Sequence, residues 1–283
     1  MYLIKRVFRS ISSRKKTFLE KKRKREKEKF QRNYNLGTPD VVIWIFGCQR
    51  SGTTFLENIF RHDFNSVVFG EFSELSIKEG RTVLSENDNI FKIVHNKNAK
   101  YAVIRPLFES DNAKELLNIF PNSVGVWMFR DFYSVVDSMK RKWNNDFFHI
   151  SKKVESDDQN NWRFQNKYLK QLQEINSENV DEFYCQYWYD RNLLPFKQNL
   201  HKDVRVLFIE YNELVTRPEE YIQTILNKTI NLEIWSDIKV DSFKKTILIK
   251  ENANIHQKTI QKSSQLYSKL LSLTYDSNSN TKS

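Results

Sequence analysis

The sequence predicts an α/β protein in which a parallel β-sheet is flanked by helices on both faces. Three observations carry this expectation. Apolar, β-branched runs alternate with amphipathic helical stretches along most of the chain. The first such run, "VVIWIF" at 41–46, has no polar interruption, which suits a strand buried on both faces. With 6 Gly and 5 Pro in 283 residues, the composition argues against a turn-rich all-β design.

The elements follow in order. In "MYLIKRVFRSI", Leu3, Ile4, Val7, Phe8 and Ile11 recur at helical spacing, opposite Lys5, Arg6 and Arg9. A polar helix-forming run without a core face comes next. Residues 1–35 therefore read as a basic helical extension, 36–275 as the folded domain and 276–283 as a disordered tail. The strand at 41–46 is followed by a helix over 51–62 with Phe55, Leu56, Ile59 and Phe60 inward. A second strand at 66–70 is expected beside the first. Strands at 101–106 and 123–130 are separated by a helix at 112–120, and a helix spans 131–143. Two helical stretches, 158–175 and 178–199, precede a strand at 204–211 and a helix at 218–226.

Composition narrows the classes. Residues 1–32 carry 14 Lys/Arg against 3 Glu, which leaves 32 basic and 32 acidic residues for the remainder. The net charge of +11 is a property of the extension, and it implies no specific nucleic-acid binding by the neutral folded domain. Two cysteines, Cys48 and Cys185, form no disulfide framework, and the 5 His show no metal-type spacing, so no metal is expected. No apolar run is long enough to span a membrane. The start is charged too early for a signal-peptide core. The expected location is cytoplasmic. The amphipathic start and polybasic run together form the two-part signal for peripheral binding to an anionic membrane.

Chemistry enters with "GCQRSGTT". Gly47 and Gly52 stand at the spacing of the phosphate-binding Walker A pattern, after a strand and before a helix, but Thr53 occupies the lysine position. Backbone N–H groups of such a loop and the following helix N-terminus cradle a phosphate. Here Thr53 and Thr54 supply hydroxyls and Arg50 supplies the charge. That set suits a phosphate and a neighbouring anionic group without a metal.

These residues resemble the sulfotransferase family that uses 3′-phosphoadenosine-5′-phosphosulfate (PAPS), and among its members the bacterial and protein-tyrosine branch. The family's 5′-phosphosulfate loop, [KR]-[ST]-G-[ST]-T, is matched by Arg50, Ser51, Gly52, Thr53 and Thr54. Its second motif, an Arg ending a strand with a Ser eight positions later, is matched by Arg130 and Ser138, which the resemblance assigns to the donor's 3′-phosphate. Asp131 and Phe132 stand where the family has Asp-Pro. "VLFIEYNELVTRPEE" is similar to a family segment that places Tyr211 near the donor nucleotide, with Asn212 in place of the usual Glu. Trp188, Arg191 and Asn192 match the family's W-x-x-R-N, and Lys262 and Ser263 lie where a C-terminal loop reaches the donor. The resemblance covers residues 41–230 and implies a three-layer sandwich of the P-loop nucleoside triphosphate hydrolase type.

Sulfuryl transfer to a hydroxyl-bearing acceptor (a carbohydrate, a protein tyrosine or a small alcohol) needs charge stabilisation on the leaving oxygen and a base. The resemblance gives Arg50 the first role and Glu71, after the strand-ending Gly70, the second. Glu74 and His62 are the other candidate bases. Arg105 stands at a strand end where relatives often place a lysine beside the sulfuryl group. Two rivals stay open: a P-loop nucleoside or nucleotide kinase, and a non-catalytic membrane- or RNA-binding protein led by the extension.

Overall fold

The computed structural model describes residues 21–33, 36–76, 84–143, 179–228 and 253–274. The start of the extension, the helix expected at 158–175 and the tail at 276–283 lie outside these residues. Residues 21–33 form α1. Then come β1 (Val41–Gly47), α2 (Thr53–His62), β2 (Ser66–Phe69), α3 (Asn87–His95), β3 (Tyr101–Ile104) and α4 (Ala113–Leu116). The chain continues with β4 (Ser123–Phe129), α5 (Phe132–Trp143), α6 (Val180–Lys197), β5 (Val206–Glu210), α7 (Tyr211–Thr216), α8 (Pro218–Asn227) and α9 (Gln257–Leu271).

The five strands form one all-parallel sheet in the order β2-β3-β1-β4-β5. At its centre Ile43 pairs with Val103 on one side and Val124 on the other. Successive β1 side chains enter opposite cores. Val42, Trp44 and Phe46 pack with residues of α3, α5, α6 and α9, while Val41, Ile43 and Ile45 pack with residues of α2 and α8. The result is the helix–sheet–helix sandwich that the alternating pattern implies.

Several expectations are corrected. β2 is an edge strand separated from β1 by β3, so 66–70 does not lie beside the loop strand. The physical reason is burial: all four β3 residues are buried, whereas Val67 and Val68 are half-buried, which suits an edge. The helix expected at 112–120 is only the single turn of α4, preceded by a 3₁₀ turn over Leu107–Asn112. Residues 117–120 close in turns ahead of Pro121, which disfavours helix in the residue before it. α3, α7 and α9 were not foreseen. α1 also has a docking face. Arg23, Lys27 and Gln31, spaced four apart, donate to the carbonyls of His62, Arg61 and Phe64, where the C-terminus of α2 leaves acceptors open. Phe30 packs against Phe64 beside them.

Candidate functional site

All five parallel strands point their carboxyl ends to one edge of the sheet, and each delivers a residue to one cleft there. Arg50 follows β1, Glu71 follows β2, Arg105 follows β3, Arg130 follows β4 and Tyr211 follows β5. The cleft measures about 650 Å³. It opens where open α/β sheets bind their ligands, outside the carboxyl ends at the reversal of strand order.

The loop between β1 and α2 is shaped by its glycines. Gly47 and Gly52 have φ of 136° and 93°, and a Cβ on either would fall 2.2 Å from Met128 O or from the Tyr211 ring. No other residue fits either position. Arg50 also adopts a left-handed conformation, with φ 67°, of the kind that concentrates at functional sites. Among the described residues no side chain caps α2 and no acidic residue lies in its first turn, so its positive end faces the cleft uncompensated.

Thr53 and Thr54 line the cleft, but Ser51 does not. Its side chain is fully buried, because the turn that bonds Ser51 N to Cys48 O folds it inward. Arg50 Nε donates to Ser138 Oγ at 3.0 Å, so the two motifs assigned to separate donor phosphates are already in contact. Burial, then the nearby cations Arg141 and Arg130, lower the Arg50 guanidinium from its ordinary value.

Arg130 is 6% exposed, and its Nε and Nη2 have no hydrogen-bond partner among the described residues. Its guanidinium lies 4.7 Å from the Tyr211 ring centre. The end of β4 is held by Trp188, whose Nε1 donates to Arg130 O at 2.9 Å. Asp131 accepts from Ser134 N at 2.8 Å and so starts α5 without the family's proline. Trp188, Arg191 and Asn192 thus brace the site from α6: Arg191 bonds Leu107 O, and Asn192 accepts from Trp127 Nε1.

The candidate bases separate clearly. Glu71 lines the cleft with its Oε1 3.6 Å from Arg105 Nη1. Burial raises its pKa, Arg105 opposes this, and the carboxylate of Glu57 adds to it. The cation facing it is Arg105 rather than Arg50, because β3 intervenes between β2 and β1. Glu74 is exposed and paired with Lys97 at 2.7 Å, away from the cleft wall. His62 ends α2, a helix of 10 residues whose other end is at the loop, about 15 Å away. Arg105 lines the cleft, but its Nε is bonded to the buried Glu57. Lys262 and Ser263 are part of α9 and face α6, where they meet Gln186 and Cys185 instead of the cleft.

Sequence reasoning missed Glu57, Gln49, Tyr187, Arg141 and Lys142. Tyr187 donates to Gln49 Oε1 at 2.6 Å in the cleft wall. Glu57 had a signal, since it falls on the buried stripe of α2 with Thr53, Leu56 and Phe60. Phe55, expected inward, is half-buried and meets Tyr211 edge-on. The cleft wall carries Arg50, Arg105, Arg130, Arg141 and Lys142 against Glu71. Such a cationic cleft focuses anions. Among the described residues no cluster of His, Cys, Asp or Glu could hold a metal ion.

No family model and no curated protein matches the chain. Among solved structures it is similar to a sulfotransferase domain from the curacin biosynthetic pathway, with a TM-score of 0.50 and 14% identity. That match covers 83% of this chain and 98% of the other. A mouse sulfotransferase, SULT7A1 complexed with PAP, gives a TM-score of 0.42 at 12% identity, over 86% of this chain and 90% of the other. With its five parallel strands and flanking helices, the chain has the α/β fold of the curacin-pathway sulfotransferase domain that it resembles.

Proposed function

We propose that the chain is a sulfotransferase that takes its sulfuryl group from PAPS and passes it to a hydroxyl of a carbohydrate, protein tyrosine or small alcohol. The observation that carries this reading is the buried Arg130 guanidinium with two open donors, set in a cationic cleft beside the glycine loop. A buried cation without a partner is costly unless a ligand supplies the anion. The loop adds a fit for phosphate through the uncapped N-terminus of α2, and Gly47 and Gly52 let the backbone pass where a Cβ would strike Met128 O or the Tyr211 ring.

The residues divide the work. The first-turn N–H groups of α2, with Thr53 and Thr54, would hold the 5′-phosphate, and Ser51 adds its backbone. Arg130 and Ser138 would hold the 3′-phosphate, with Tyr211 walling the nucleotide. Bound there, PAPS supplies an activated sulfuryl group and leaves 3′,5′-diphosphoadenosine. Arg50 neutralises negative charge that develops on the leaving oxygen, a task for an always-charged, bidentate donor. Glu71 accepts the proton of the acceptor hydroxyl, and its raised pKa makes it a stronger base than an ordinary carboxylate.

Ligand choice tests the reading. 3′,5′-Diphosphoadenosine should raise the melting temperature without added metal, and ATP with Mg²⁺ should not. The reverse pattern would indicate the kinase alternative.

A further inference from the structure

α2 carries a carboxylate that the reaction does not use. Glu57 is 3% exposed, yet it is ion-paired on both oxygens. Its Oε1 accepts from Arg61 Nε at 2.7 Å and also from Arg61 Nη2. Its Oε2 accepts from Arg105 Nε. Gly70 lies directly on this pair: a Cβ there would fall 2.7 Å from Glu57 Oε1 and 2.8 Å from Arg61 Nη2. The backbone leading into Glu71 therefore rests on the Glu57–Arg61 pair.

We propose that Glu57 is a positioning residue that clamps the Nε edge of Arg105, so that the far edge of the guanidinium meets Glu71 at long range and leaves that carboxylate an open proton acceptor. The inference rests on the reading of Glu71 as the base. The geometry supports it at each step. Arg105 is buried and reaches Glu71 through Nη1 at 3.6 Å, beyond a good hydrogen bond. A guanidinium released from Glu57 could instead turn its fork onto Glu71, and a bidentate pair would hold Glu71 ionised and weaken it as a base. Glu57 blocks that pairing and adds its own negative charge beside Glu71. The charged groups around Glu71 are thus Arg105 from the end of β3 and Glu57 with Arg61 from α2. Arg50 also lines the cleft, and Glu74 pairs with Lys97 at the surface.

A purely structural staple between α2 and β3 would cost melting temperature when cut and would move Glu71 only by the charge removed, equally with or without Arg105. Release of the clamp moves it further, and only while Arg105 is present. The test is therefore a carbon-13 NMR titration of protein labelled at its glutamate carboxyls, with the Glu71 signal assigned by its loss in Glu71→Gln. In Glu57→Gln the Glu71 midpoint should fall by about one pH unit, as Arg105 turns to it. In Arg61→Gln it should rise, because Glu57 then neutralises Arg105 more fully and one cation is gone. Opposite shifts that shrink by more than half when Arg105→Gln is added support the clamp, and shifts of the same size in that background overturn it. A Glu71 midpoint unmoved in both variants, or moved the same way in both, overturns it. If Glu57→Gln does not fold, Arg61→Gln decides alone, a rise that Arg105→Gln removes supporting the clamp, and no change, a fall or a rise that persists overturning it. Calorimetry with 3′,5′-diphosphoadenosine separates the two readings: a wild-type protein that does not bind it refutes the sulfotransferase assignment, while the titration still reports on the clamp.

Discussion

Replacing Arg130 by alanine probes the donor site where the structure makes the sharpest statement. The side chain is 6% exposed, with Nε and Nη2 unpartnered among the described residues. A hydrogen bond to a charged group is worth about 1.5–3 kcal/mol. Loss of the Arg130 grip on a 3′-phosphate should then cost about 2–3 kcal/mol, or roughly 30- to 150-fold in the Kd of 3′,5′-diphosphoadenosine. Adenosine 5′-monophosphate has no 3′-phosphate, so its Kd should change by less than about threefold on the same reasoning. The backbone should hold, because Trp188 bonds the carbonyl of residue 130 and not its side chain. The empty protein should keep its melting temperature, since the variant removes an unpaired buried cation while losing a stacking contact with Tyr211. Isothermal calorimetry on both nucleotides, with thermal melting alongside, reads all three quantities. Equal losses for the two nucleotides, or a collapse in melting temperature, would refute the reasoning and make Arg130 a structural residue.

Glu71→Gln should keep donor binding while turnover falls about 10²- to 10⁴-fold. Glu74→Gln, at an exposed surface pair, should cost less than about tenfold. The reverse ranking would move the base to Glu74. The raised pKa of Glu71 also sets a sign in stability. The folded state binds that proton more tightly than the unfolded chain, so the group destabilises the fold at neutral pH and less so as pH falls through the raised pKa. Glu71→Gln should therefore melt higher than wild type near pH 7, and the gap should close on acidification; a gap that widens would contradict the burial argument. Gly52→Ala forces a Cβ 2.2 Å from the Tyr211 ring at φ 93° and should abolish nucleotide binding in calorimetry. Adding Tyr211→Ala should relieve the clash but not the strained backbone. Removing residues 1–35 should abolish co-sedimentation with anionic vesicles, each basic residue near the surface contributing about 1 kcal/mol. The same truncation should in addition lower the melting temperature, because it strips the donors of Arg23, Lys27 and Gln31 from the end of α2. Vesicle binding by the shorter protein would refute the tether.

The strands and the residues that follow them were legible in the sequence, because a strand buried on both faces must be an unbroken apolar run. Val41–Gly47 shows this along its whole length, and Val124–Phe129 shows it after the buried Ser123. The glycine loop was legible too, since its demands on φ at Gly47 and Gly52 are local. A parallel sheet then carries Arg50, Glu71, Arg105, Arg130 and Tyr211 to one edge whatever the strand order. The strand order itself needed the tertiary structure. Periodicity tells each element which of its faces is buried but not which neighbour buries it. Only the β2-β3-β1 arrangement puts Arg105, rather than Arg50, beside Glu71 and leaves Glu74 out at the surface with Lys97. Likewise, the pairing of Glu57 with Arg105 spans 48 positions, and the seat of Ser263 against Cys185 spans 78. Contacts at such separations depend on how whole elements pack, and no local pattern encodes them.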